Sequence, residues 1–228
     1  MTIKQSGITI LLGVLACASC GRVQNGFTEE ELSLIHEADS IMRVLTVCDP
    51  ADLAVLRAPS IDLSAQALMS DEYAALCSLM VATVTHPSQD GVGIAGPQVG
   101  LNRRVVAVQR FDKEPVAGGG EPVADGTSVP DAGDRGTEEG EVDYPFEVYP
   151  NVRIVWASDS LAYGPEGCLS VPGRRGDVLR SQEIVIEYAL AGGRDGITMV
   201  RDTVRGFTAV IFQHEIDHLD GVLYIDRL

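Results

Sequence analysis

The chain has 228 residues, 45% of them hydrophobic, which suffices for one domain with a sizeable core plus extensions. Its formal net charge of -16 would repel a phosphate backbone over most of the surface, so nucleic acid is not an expected partner. Cys17, Cys20, Cys48, Cys77 and Cys168 show no paired spacing of a disulfide framework.

Residues 1–20 carry one lysine, an apolar run from Ile8 to Ala18 too short to span a bilayer comfortably, and then small residues, the layout of a secretory signal. The end of this segment, Ala16-Cys17-Ala18-Ser19-Cys20-Gly21, resembles the lipobox of bacterial lipoproteins. Ala18 and Ser19 precede Cys20, although Cys17 stands where a leucine is usual; Cys17 follows Ala16 but has the bulky Leu15 behind it. The resemblance implies lipidation at Cys20 rather than Cys17, export, and a membrane anchor facing the periplasm or cell exterior. A cleaved but unlipidated signal, a buried N-terminal helix and a cytoplasmic location are the alternatives.

Residues 21–41 read as a polar tether before a globular domain over 42–228, with Leu32, Ile35, Ile41 and Leu45 at helix-like intervals. Turn formers interrupt from Asp49-Pro50 to Pro59. A core helix is expected from Ala65 to His86, with Leu68, Met69, Leu76, Leu79, Met80 and Val84 on its apolar face; Cys77 is a small hydrophobe on it and His86 a helix-end residue. The glycine-rich stretch from Asp90 to Gly100 follows a helix and precedes a strand over 104–109. That order is the reverse of a dinucleotide-binding loop, and the glycines instead suit a backbone laid open to an extended ligand. Residues 112–145, rich in Gly, Pro and acids, read as a disordered insertion within one domain. Strands are expected over 146–148, 152–157, 183–189 and 197–204, the last two as an antiparallel hairpin. An amphipathic helix over 206–219 and an edge strand over 222–225 complete the pattern.

That last helix carries Gln213-His214-Glu215-Ile216-Asp217-His218-Leu219-Asp220-Gly221. Histidines four residues apart share one helix face, so two imidazoles can hold one divalent metal while Glu215 points at a water on it. Upstream lies Glu166-Gly167-Cys168-Leu169-Ser170. A thiolate, two imidazoles and an open position make a catalytic rather than a closed structural metal site.

Three motifs, GVGIAGPQ, EGCLS and QHEIDHLDG, resemble in kind and order those of peptide deformylases, GxGxAAxQ, EGCLS and QHExDHLxG. The resemblance runs from about Met42 to the end, apart from the insertion. It implies an α+β peptide-deformylase-like fold, with antiparallel strands around a central C-terminal metal-binding helix, and hydrolysis of N-formylmethionyl peptides with release of formate. The implied metal ligands are Cys168, His214 and His218, with Fe(II) favoured and Zn(II), Ni(II) or Co(II) as other occupants. Glu215 becomes the general acid/base, and Gln98 with the backbone N–H of Leu169 the oxyanion donors. Val92 and Gly93 would pair with the peptide backbone, Val210, Ile211 and His214 would line the pocket for the methionine side chain, and Arg175 would lie near the peptide.

Gly96 departs from the family's second alanine, which would loosen the loop holding Gln98. The sequence also stops at Asp226-Arg227-Leu228, without the basic helix that similar bacterial enzymes use at the ribosome, so ribosome binding is not expected. Two rival readings remain. One is an exported lipoprotein that binds formyl peptides with weakened catalysis. The other is an HExxH zinc protease, against which Tyr224 stands where a third histidine would be needed.

Overall fold

A computed structural model describes residues 23–24, 26–115, 143–194 and 196–228. The expected signal over 1–20, with Cys17 and Cys20, lies outside these residues, as does the insertion between 116 and 142. Among the described residues no helix is long and apolar enough to cross a membrane.

The segment read as a tether is packed over its described part. Strands β1 (Val23–Gln24) and β2 (Phe27–Thr28) pair and lead into helix α1 (Glu29–His36). Thr28 caps that helix in a reciprocal capping box with Glu31. Phe27 is fully buried, and Leu32 and Ile35 join the core. Glu31 is also ion-paired with Arg103, whose guanidinium lies 5.8 Å from the Phe27 ring centroid. Burial of three apolar side chains, at about 1.5–3 kcal/mol each, is what a free tether lacks.

Helix α2 (Pro50–Leu56) occupies the stretch expected to be turns: Asp49 caps it through the Ala51 N–H and Pro50 fills the first turn, where no donor is missed. The helix expected over 65–86 is divided into α3 (Ala65–Leu68) and α4 (Asp71–Val84). Ser70 ends one and caps the next, its hydroxyl accepting from Tyr73 N.

Strands β3 (Gly93–Ala95), β4 (Val105–Gln109) and β5 (Phe146–Pro150) form one antiparallel sheet in that order, with β3 at its edge. The insertion joins β4 to β5, so it interrupts one sheet without separating domains. Strands β6 (Arg153–Ala157), β9 (Glu183–Ala191) and β10 (Ile197–Arg205) form a second antiparallel sheet in the order β10-β9-β6. A long ribbon of β7 (Leu161–Cys168) and β8 (Val171–Ser181) stands apart from both.

Helix α5 (Gly206–Leu219) runs among these strands, so the fold is α+β with antiparallel sheets around the C-terminal helix. The helix is not amphipathic as expected. From Thr208 to Leu219 every residue but Val210 is buried, because β3 and β4, β9 and β10, and the β8 ribbon enclose it on several sides. Its apolar residues Ala209, Ile211, Phe212, Ile216 and Leu219 pack with Ala95, Val106, Tyr149, Ile184 and Ile186. After it, residues 222–225 form no edge strand; Tyr224–Asp226 is a 3₁₀ turn, with the Asp226 side chain accepting from Leu223 N.

Candidate metal centre

Three elements deliver the candidate ligands. Cys168 ends β7, where a two-residue turn, Leu169-Ser170, reverses the chain into β8. His214 and His218 project from one face of α5. The Cys168 Sγ, His214 and His218 nitrogen atoms all lie within 4.8 Å of one another, and Cys168 Sγ is 3.2 Å from His218 Nε2. A thiolate and two imidazoles at this spacing fit one divalent ion in a site with room for a further ligand. Burial opposes charge on the Cys168 thiol, yet the two imidazoles beside it hold its pKa well below the ordinary thiol value. Burial likewise opposes charge on His214, and the thiolate and Glu166 outweigh it, raising that imidazole. The pocket therefore favours the thiolate a metal requires.

His214 Nδ1 lies 2.8 Å from Glu166 Oε2, which fixes the ring so that Nε2 faces Cys168. Arg180 binds Glu166 through two hydrogen bonds, 2.7 and 3.0 Å, and reaches Asp217 at 2.6 Å. Arg227 completes the chain by binding Asp217. Glu166 and Arg180 are 6% and 4% exposed, so this is an interior network. The sequence reading gave no role to Glu166, Arg180 or Asp217. Glu166 precedes Cys168 by two in EGCLS, but with no strand recognisable there the spacing alone does not set the two side chains together.

Burial alone would raise the Glu166 pKa, but its hydrogen bonds with His214 and Arg180 bring it down to about 2 from 4.5. An acid with a lowered folded-state pKa adds stability that is present above its unfolded value and lost as pH falls towards its folded value. We therefore expect the metal-free protein to lose roughly 3 kcal/mol between about pH 4.5 and 2 from this group alone. Denaturation midpoints across that window, compared with Glu166→Gln, measure it; parallel curves for the two proteins would contradict the assignment.

Glu215 is buried, and a Cβ placed on Gly93 would lie 2.6 Å from its Oε1 and 2.8 Å from Ile211 Cγ2. Only glycine lets β3 pass this closely. Burial raises the Glu215 pKa, the neighbouring histidines pull it back, and the balance leaves it at about 7, near the value an acid/base group needs at neutral pH.

Gln98 lies in the 3₁₀ turn Gly96–Val99 and is 1% exposed. Its side-chain carbonyl accepts from Ala95 N at 2.8 Å, which turns the amide N–H groups toward Ser170 Oγ, 3.3 Å, and Cys168 Sγ, 3.5 Å. The expected looseness at Gly96 is not present. A Cβ there would lie 2.6 Å from the Arg103 carbonyl oxygen and 2.7 Å from that of Leu101, so the backbone has closed over the space of the missing methyl. Gly96→Ala should therefore destabilise the protein by about 1–3 kcal/mol, read as a lower urea midpoint, because both carbonyls are held by backbone hydrogen bonds, from Arg103 N and Val105 N, and cannot withdraw freely.

The structure thus brings Cys168, His214, His218, Glu215 and Gln98 together, with Leu169 on the adjoining turn. Gly93 and Ile211 lie against Glu215, while Val92 and Val210 are half-buried beside them. Arg175 is itself exposed on β8, its side chain lying beside Gly167. Tyr224, in the position of the third histidine of a protease site, stacks on His214 with ring centroids 6.0 Å apart.

The family profile for polypeptide deformylase matches residues 41–228. The chain is 31% identical over 190 residues to a peptide deformylase of Leptospira biflexa, covering 83% of this chain and 88% of that one. It is 39% identical over 151 residues to peptide deformylase 2 of Nostoc sp., covering 65% and 68%. Among solved structures it is similar to the class I type b peptide deformylase of Acinetobacter baumannii bound to Met-Ala-Ser, at 29% identity and a TM-score of 0.63, covering 84% of this chain and all of that one. A second is the enzyme from Thermotoga maritima, at 26% identity and a TM-score of 0.59, covering 82% and 97%.

Proposed function

The chain belongs to the polypeptide deformylase family, and on that premise we propose that it removes the formyl group from N-formylmethionyl peptides, releasing formate. The observation that carries this reading is the convergence of Cys168, His214 and His218 around one point, with the Glu215 carboxylate and the Gln98 amide beside it.

Cys168, His214 and His218 would hold the divalent metal, with Glu166 fixing the His214 ring. When bound, the metal supplies Lewis acidity, which activates water and polarises the formyl carbonyl. Glu215 accepts the water proton and returns it to the departing amine, which must leave as a neutral base. Gln98 and the Leu169 N–H donate to the carbonyl oxygen as it gains charge, each worth about 3 kcal/mol. The open edge of β3, at Val92 and Gly93, pairs with the peptide backbone, and Val210 and Ile211 form the apolar side-chain pocket. Arg175 lies along the peptide's path. The bound Met-Ala-Ser of the Acinetobacter baumannii enzyme supports a peptide ligand with N-terminal methionine.

The test is formate release from a formyl-Met-Ala-Ser peptide by protein loaded with Fe(II), Zn(II), Ni(II) or Co(II). Turnover abolished by chelation supports the reading, and no turnover with any metal overturns it. Formyl-peptide binding with weakened catalysis is the second reading; tight binding without formate release would select it.

We further propose that the N-terminal segment is a lipoprotein signal lipidated at Cys20, so that the enzyme works outside the cytoplasm on released formyl peptides and not at the ribosome. The support is the run of small residues before Cys20. Fatty-acid labelling lost in Cys20→Ala but retained in Cys17→Ala is the expected result; an unprocessed cytoplasmic protein would overturn it.

A further inference from the structure

The two ends of the insertion meet beside the site. Phe111 follows β4 and Tyr144 precedes β5, and their ring centroids are 5.2 Å apart. Phe111 also packs on Phe207 of α5, centroids 5.3 Å apart. Phe207 lies one turn of helix before Val210 and Ile211, and Phe111, Phe207 and Val92 each pack against the core that contains Ile211. The Val92 carbonyl accepts from Gln109 N at 2.9 Å, tying the edge strand to the same neck. Gly93 and Ile211 lie against Glu215, the cluster containing Ile211 also carries Val92, Phe207 and Phe111, and all three aromatic rings stay partly exposed.

The neck itself is firmly held. Arg110, immediately before Phe111, is 2% exposed and bonds Asp112 at 2.7 and 2.8 Å and Asp202 at 3.0 Å. The Arg110 N–H donates to Pro145 O at 2.8 Å, and Lys113 bonds Glu147 at 2.7 Å. Such a buried, multiply bonded cation fixes the direction of the ring that follows it.

We propose that Phe111, backed by Tyr144 and Phe207, closes the far end of the pocket that takes the substrate's N-terminal side chain, making the insertion's own ends specificity-determining. The inference rests on the deformylase reading and on the pocket at Val210 and Ile211. An aromatic end wall in an apolar pocket distinguishes a thioether from a methylene chain of nearly equal shape, because sulfur is attracted to ring edges. The wall therefore favours methionine over norleucine.

The experiment compares kcat/KM for formyl-Met-Ala-Ser and formyl-norleucyl-Ala-Ser peptides in metal-loaded wild type, Phe111→Leu and Tyr144→Leu. We expect Phe111→Leu to lower the methionine-to-norleucine ratio by about two- to tenfold, and Tyr144→Leu to lower it less, since its ring touches Phe111 from outside. Replacing residues 116–142 with a short Gly-Ser linker should leave the ratio unchanged, because the neck bonds lie outside that stretch. Wild-type turnover with the same ratio in both leucine variants, or a ratio lost on linker replacement, overturns the aromatic wall alone. Absence of turnover by wild type on either peptide overturns the deformylase reading and the inference with it.

Discussion

Glu215→Gln is expected to reduce formate release by two to four orders of magnitude while the protein still binds its metal through Cys168, His214 and His218. The amide is isosteric with the carboxylate and still fits beside Gly93, but it cannot take a proton from water and return it to the amine. A second consequence separates this from structural damage. An acid whose pKa rises from 4.5 to about 7 on folding binds more protons in the native state between those values, so stability falls as pH rises through that window. Gln carries no such cost, and the metal-free variant should be more stable than wild type above pH 7. A variant less stable than wild type, or one retaining a tenth of its turnover, would remove Glu215 from the acid/base role.

The second large effect is expected at Arg180, which touches no ligand of the site. Arg180→Met leaves Glu166 and Asp217 as buried carboxylates without their shared cation. Breaking such a network from one side costs about 3–5 kcal/mol, or roughly 10 °C in Tm for a chain of this size. Because Glu166 holds His214 Nδ1, metal affinity should fall about 10- to 100-fold as well. Chelator competition and calorimetry read the two losses separately. A fall in stability with unchanged metal affinity would show that Glu166 keeps the imidazole in place without help from Arg180.

Much of this site was legible because its geometry is local. Histidines four apart on a helix must share a face, and the resemblance of EGCLS to the family motif implies Cys168 as their third partner. The glycines before Gln98 suit a backbone open to an extended ligand, whereas the close neighbour that the structure places at Gly93 is the Glu215 carboxylate. The β7–β8 ribbon was not legible: Gly164, Pro165, Gly167, Pro172, Gly173 and Gly176 argue against strands, and only pairing across the ribbon sustains it. Arg180 was hidden for the same reason, since its partners Glu166 and Asp217 are 14 and 37 residues away. Helix α2 was concealed by the Asp-Pro that starts it, a pair that initiates turns and helices alike. The last residues read as a strand by composition, yet the Asp226 bond to Leu223 N curls them into a turn.

The packing of Phe27 and Glu31 separates two boundaries that are often treated as one. The family profile begins at residue 41, but the packed core begins at least as early as Phe27. A protein trimmed to the shared boundary would keep every residue of the metal centre and lose the carboxylate beside Arg103, a cation 7% exposed, along with the ring beneath it. Arg103 is also the residue whose carbonyl closes over Gly96, two residues before Gln98. Excising the apparently dispensable leader would thus unsettle the floor of the reaction chamber from behind, a dependence that no comparison restricted to the common domain can register.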